Sequence, residues 1–263
     1  MFQYPFMVNA FRAGTIVALM AGVIGWFMVF RRQAFAGHTL ALLGFPGAAG
    51  ATWLGVSAPL GFYSFGIAGA LVIAVLPQRS RRGFGEESAV VATIQALALA
   101  SGFLFISLSP RNVSGMNALL FGTFLGITET QVLTLAIVGV LALVATACMA
   151  RPLLFASVDP DVAAAAGVPV RLLSIASLVV LGVAAAATSQ ITGALLVFAL
   201  LVLPAATAQR ITARPGVGLG LAAGIAVAVT WAGLTVGYHT DWPIGFTVTS
   251  LAFALYVLAT WRS

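Results

Sequence analysis

Lysine is absent from this chain of 263 residues, cysteine occurs once, histidine twice, and acidic residues number six. Without lysine, no phosphate loop of the lysine-dependent kind can be built, and no other nucleotide-binding motif stands in for it. A lone cysteine, Cys148, excludes an intrachain disulfide and a thiolate metal site. Set in an apolar run, it is expected to be a small packed hydrophobe. The sequence holds no Cys-x-x-Cys and no His-Glu-x-x-His. Paired carboxylates inside apolar segments, the usual mark of a proton-coupled carrier, are missing as well. If this chain moves something uphill, the energy must come from another chain.

What remains is largely apolar. Hydrophobic residues make up 61% of the chain and charged ones 7%, with a mean hydropathy of +1.10. That excludes a soluble globular domain and predicts an all-α polytopic membrane bundle. A span needs about 20 apolar residues. Nine segments qualify or nearly so: 10–30, 34–56, 60–77, 88–108, 131–150, 170–188, 191–209, 217–237 and 244–261. The N-terminus lacks a basic stretch ahead of a short apolar core with a cleavage site, so the first segment is expected to be a retained span. Polar residues Thr188, Ser189, Gln190 and Thr192 between the sixth and seventh segments leave a tight hairpin and a broken helix equally open.

All 12 basic residues are arginine, and the net charge is +6. Arg31 and Arg32, Arg79, Arg81 and Arg82, Arg151 and Arg171, Arg210 and Arg214, and Arg262 fall at alternate segment ends; only Arg12 and Arg111 occupy the opposite ends. The positive-inside rule then places the N-terminus outside and the C-terminus in the cytoplasm, as an odd number of crossings requires. His38 and His239 lie at opposite faces on that topology and cannot share a site. Such a distribution suits anchoring at an anionic lipid leaflet and gives no reason to expect a nucleic-acid partner.

One polar interruption, Arg151 to Arg171, also spells a short helix. Asp159 can cap it by accepting from free amides of the first turn, Pro160 suits the first helical position, and Asp161 faces the positive end of the dipole. Four alanines follow, among them Ala164. Gly167 is placed to end the helix in a left-handed position, with Pro169 blocking its continuation. About two turns cannot persist alone in water. Local chemistry leaves two readings, a plain loop helix or a docking element for a soluble partner; the topology puts it in the cytoplasm and favours docking.

Other features are more general. Ser109 to Gln131 forms an outer connection in which the run 118–126, too short to cross, is expected to be interfacial or re-entrant. Glu86 and Glu87 open the fourth segment, where carboxylates suit the dipole. Gly216, Gly220 and Gly224, then Gly233 and Gly237, recur every four residues and are expected to pack within the bundle more than to dimerise it. Pro46 and Pro204 sit inside spans and can kink them, either for architecture or along a pathway.

Four stretches together resemble the permease subunits of the zinc/manganese/iron-type ABC importers. Phe35-Ala-Gly-His-Thr-Leu-Ala-Leu-Leu-Gly-Phe-Pro-Gly47 is similar to that family's Gly-Asp-Ala-Leu-Ser-His…Pro-Gly segment, and Asn117-Ala-Leu-Leu-Phe-Gly-Thr-Phe-Leu-Gly126 to its Leu-Phe-Gly-Ser-Ile-Leu run. Val158-Asp-Pro-Asp-Val-Ala-Ala-Ala-Ala-Gly167 resembles its cytoplasmic coupling helix. The fourth is Thr192-Gly-Ala-Leu-Leu-Val-Phe-Ala-Leu-Leu-Val-Leu-Pro-Ala-Ala-Thr-Ala208, followed by Tyr238-His-Thr-Asp-Trp-Pro-Ile-Gly245.

The resemblance implies a single permease domain over 1–263 in a bacterial inner membrane, working as a homodimer. It implies two cytoplasmic ATPase subunits that hold ATP and magnesium, and an extracytoplasmic metal-binding protein. This chain would carry no ATPase site and no cofactor. Asp159, Pro160, Asp161, Ala164 and Gly167 would form the coupling element, and Pro46 and Pro204 would lie along the pathway. The family places Asp and His four apart in the second span; here His38 takes the first position and Leu42 the second. His38 is therefore the one candidate metal contact, and the cargo a divalent ion of the zinc or manganese class or a metal chelate. A channel or secondary carrier acting alone is the alternative, and a membrane scaffold a third.

Overall fold

The structure, a computed structural model, describes residues 3–75, 84–109, 122, 126–240 and 242–262. Among them it forms α1 (Pro5–Phe30), α2 (Ala34–Trp53), α3 (Ala58–Val75), α4 (Phe84–Leu108), α5 (Glu129–Val158), α6 (Pro160–Ala165), α7 (Val170–Thr192), α8 (Ala194–Ile211), α9 (Pro215–Thr240) and α10 (Ile244–Arg262), and no strand. Seven helices are long and apolar enough to cross a membrane by length and composition: α1, α3, α4, α5, α7, α9 and α10. With α2 of 20 residues and α8 of 18, the nine expected spans are all helices. The expected run 118–126 and the arginines at 79, 81, 82 and 111 lie outside the described residues, apart from Gly122 and position 126.

The first helix is the spine of the bundle. Of its most apolar window 67% is buried, against 22% for α5 and 17% for α10. Small residues make this possible. Gly22 meets the backbone of Ala222 and Ala223 on α9, and Gly25 the backbone of Leu201 on α8, so α1 lies close to both. Polar side chains pin the contacts: Trp231 Nε1 donates to Thr15 Oγ1 at 2.8 Å, and Gln209 Nε2 to the Trp26 carbonyl at 2.9 Å. Such bonds hold helices together where apolar burial discriminates little between protein and lipid.

Buried residues run almost unbroken along α2 from Thr39 to Ala51. A helix rich in glycine and alanine gains little from lipid contact, but its slim surface lets α3 and α4 approach. Gly47 and Gly61 face each other across the α2–α3 crossing, where a Cβ on Gly47 would lie 2.7 Å from Phe65 Cβ. Thr39 Oγ1 donates to Gln95 Oε1 of α4 at 2.9 Å.

Four features differ from the sequence expectation. Helix α1 starts at Pro5, so Arg12 falls inside it on an exposed side. Helix α5 continues through Arg151 and Pro152 to Val158. Its 30 residues span about 45 Å, well beyond the apolar thickness of a bilayer. Cys148 is exposed on α5 and not packed in the core. Gly216, Gly220 and Gly224 have open space where their side chains would be, while Gly233 and Gly237 do pack, against Val248 and Ile244 of α10.

The choice left open around Thr188 is also settled. Thr188 and Thr192 return their hydroxyl protons to carbonyls one turn back, so the polar run stays helical. The chain breaks only at Gly193, with φ 77° and ψ 154°, a conformation that residues with a Cβ avoid.

Candidate coupling and pathway sites

Helix α6 is built as its residues dictate. Asp159, extended at φ −144° and ψ 99°, ends α5 and caps α6. Its Oδ1 accepts from the amides of Asp161 at 3.1 Å and Val162 at 3.0 Å, and Pro160 fills the position that needs no amide bond. At the other end Gly167 is left-handed at φ 82°. The Val168 amide bonds to the Ala163 carbonyl and the Gly167 amide to the Ala164 carbonyl, both at 3.0 Å, which closes a Schellman motif. Both ends are satisfied within six helical residues.

Little of α6 is buried. It packs on the ends of α5 and α7, and Ala163 is its one buried residue. Ala164 and Asp161 are exposed, and the apolar side chains beside them stand in the open, with Val158 76% and Val162 53% exposed. A rigid, capped helix presenting valines and alanines outward is shaped to be covered.

His38 lies in the second turn of α2 and packs edge-on against Phe198 of α8, ring centroids 4.8 Å apart. Its Nδ1 is buried without a hydrogen-bond partner. Leu42, one turn on, joins Phe45 in an apolar cluster with Leu99 and Ile106 of α4, so that position supplies no second donor. Among the described residues no group of three or more His, Cys, Asp or Glu side chains could hold a metal. His239, on the exposed end of α9, stacks edge-on with Tyr238.

Pro46 and Pro204 are both buried inside helices, and each frees the carbonyl four residues back, Leu42 and Leu200. Pro46 faces α4, where a Cβ on Gly102 would approach its Cα to 3.0 Å. A third internal proline, Pro152 of α5, lies beyond the end of the apolar run, where hydropathy gives no sign that the helix continues.

One further residue is invisible in the sequence pattern. Arg31, the C-cap of α1, reads as a membrane-edge anchor like its neighbour Arg32. Instead its Nη1 donates to Ser157 Oγ at 3.0 Å and its Nη2 to Ser174 Oγ at 2.8 Å, with Nε 3.4 Å from Gln33 Oε1. Burial pulls the pKa of this guanidinium below its ordinary value by removing hydration. No spacing rule separates Arg31 from Arg32, which is exposed.

Comparison with known proteins agrees with this architecture over its full length. The manganese transport system membrane protein MntC of Halalkalibacterium halodurans is 30% identical over 257 residues, 98% of this chain and 87% of that protein. The chelated iron transport system membrane protein YfeC of Yersinia pestis is 28% identical over 258 residues, covering 98% and 86%. Among solved structures, PsaBC from Streptococcus pneumoniae in complex with Fab superposes with a TM-score of 0.86 at 24% identity, over 97% of this chain and 91% of that one, and so shares the fold. The model of the ABC 3 transport family matches residues 3–263. The chain is a multi-pass membrane protein of the ABC 3 transport family.

Proposed function

We propose that this chain is the membrane permease subunit of an ATP-driven importer, and that it works as a homodimer to carry a divalent metal ion or metal chelate. The observation that carries the reading is α6: a helix capped at both ends, with Ala163 its one buried residue and Val158 and Val162 exposed. Its occupant is a cytoplasmic ATPase subunit, which supplies the ATP and magnesium chemistry. An extracytoplasmic metal-binding protein delivers the cargo at the other face. On this reading the N-terminus is outside and the C-terminus cytoplasmic. Family membership supports the assignment, as do relatives named for manganese and chelated iron transport.

The cargo is argued from His38. Neutral imidazole suits zinc, copper, iron or nickel better than manganese, which prefers oxygen donors. With Leu42 in place of a second ligand, each protomer offers one donor, so contact with the ion is brief and favours zinc-like cargo. Pro46, one turn beyond Leu42, frees a backbone carbonyl in the same helix and Pro204 does so in α8, which suits helices beside a pathway.

Purification from membranes tests the reading. The wild-type chain is expected to bring down an ATPase, and replacing Asp159 with Ala together with Gly167 with Val should release it without loss of membrane insertion. A stand-alone channel or carrier would retain no ATPase in either form.

A further inference from the structure

Ser157 precedes Asp159 by two residues, and Ser174 is the fifth residue of α7. The two hydroxyls that receive the Arg31 fork therefore belong to the two segments flanking α6. One side chain, projecting from the α1–α2 corner, holds both. Ser157 passes its own proton to the Leu153 carbonyl, which leaves its oxygen lone pairs free to accept from Arg31. The planar guanidinium suits two acceptors at once, and a charged donor strengthens each bond. All three acceptors are uncharged.

The seam behind this clasp is not filled. A cavity of about 20 Å³, room for roughly one water, is bordered by Met28, Thr146, Met149, Leu153 and Ser177 as well as Arg31. Gaps of this size forfeit the dispersion contacts that would otherwise fix helix spacing. Phe27, Leu153 and Leu173 pack together beside the gap, and the Arg31 bonds add direct polar ties from the end of α1 to α5 and α7 at this level. The corner itself is stiff: the Arg32 amide bonds to the Val29 carbonyl at 3.0 Å and the Gln33 amide to the Met28 carbonyl at 2.9 Å. Helix α2 starts at Ala34, immediately after that turn, and carries His38 in its second turn.

We propose that Arg31 is a positioning residue for transport, tying both flanks of α6 to the α1–α2 corner so that displacement of α6 is delivered to α2. The inference rests on the reading of α6 as the docking element. The test uses the full complex of permease, ATPase and binding protein in liposomes. Zinc and manganese ions are offered as cargo, and uptake per ATP hydrolysed is measured for wild type, Arg31→Gln and the pair Ser157→Ala with Ser174→Ala. The expected result is retained ATPase and continuing hydrolysis, with uptake per ATP down about tenfold in both variants, the equivalent of about 1.4 kcal/mol of coupling. Combining all three substitutions should add nothing, because one contact is removed either way. The serine pair keeps the guanidinium in place and decides the matter should Arg31→Gln fold poorly. A wild-type ratio in the serine pair, or ATPase loss in step with uptake, overturns the clasp. A wild-type chain that retains no ATPase and takes up neither ion overturns the permease reading itself, before any variant is compared.

Discussion

Arg32 stores strain where it closes α1. It is the one non-glycine residue with positive φ among those described, at 58°, and a side chain in that region costs about 1–2 kcal/mol. Glycine removes the clash but loosens the unfolded chain, so Arg32→Gly should stabilise the fold by about 0.5–1 kcal/mol. A thermal melt in detergent checks it; a lower midpoint would show that the charge contributes more than the strain. His38 carries a prediction of another kind. With its Nδ1 unpartnered and its ring against Phe198, His38→Ala should impair transport, whereas Leu42→Ala, which alters only apolar packing with α4, should leave metal preference unchanged. Uptake assays across the divalent series separate the two, and unchanged uptake by His38→Ala would reduce the histidine to packing. At this scale the sequence spoke unevenly. Asp159, Pro160 and Gly167 were legible because capping acts within a few residues of chain. Arg31 was not, since its partners lie 126 and 143 residues away.

Helices were legible as elements wherever apolar length set them. Their ends were less so, because hydropathy is blind to caps. Thr128 begins α5 with a capping box, its Oγ1 accepting from the Gln131 amide and its own amide donating to Gln131 Oε1; in sequence those residues merge into a polar loop. Glycine spacing misled for a related reason. Periodicity shows that Gly216, Gly220 and Gly224 share a face but not what the face meets, which is open space. Two substitutions expose the difference. Gly47→Ala drives a methyl into Gly61 and Phe65 and should cost about 1–3 kcal/mol by forcing α2 and α3 apart. Gly220→Ala meets nothing and, by helix propensity, should be neutral or stabilise by up to about 1 kcal/mol. Equal melting shifts for both would contradict the packing described. Asp159→Ala should cost α6 about 0.5–2 kcal/mol of local stability, read as faster amide exchange at Val162 and Ala163.

For the whole molecule, arginine asymmetry and the nine long helices among the described residues make a topological prediction. Ser157 should be cytoplasmic, and Ser57 and Thr240 should be outside. Single cysteines at these positions in a Cys148→Ala background, where the exposed native thiol no longer reacts, are labelled from one side at a time. Reaction of position 240 from the inside alone would undo the nine-span arrangement. What no single chain can display is its partner: α6 is finished at both ends and covered on neither exposed flank. As the proposed docking element, this helix receives the force of ATP hydrolysis. ATP-dependent uptake of zinc and manganese into liposomes holding the complete complex tests this role, with the wild-type chain set against Asp159→Ala combined with Gly167→Val. Uptake is expected to require ATP and the binding protein in the wild type, and to be lost, with release of the ATPase, in the double variant. Undiminished ATP-driven uptake by the double variant would remove the coupling role from α6.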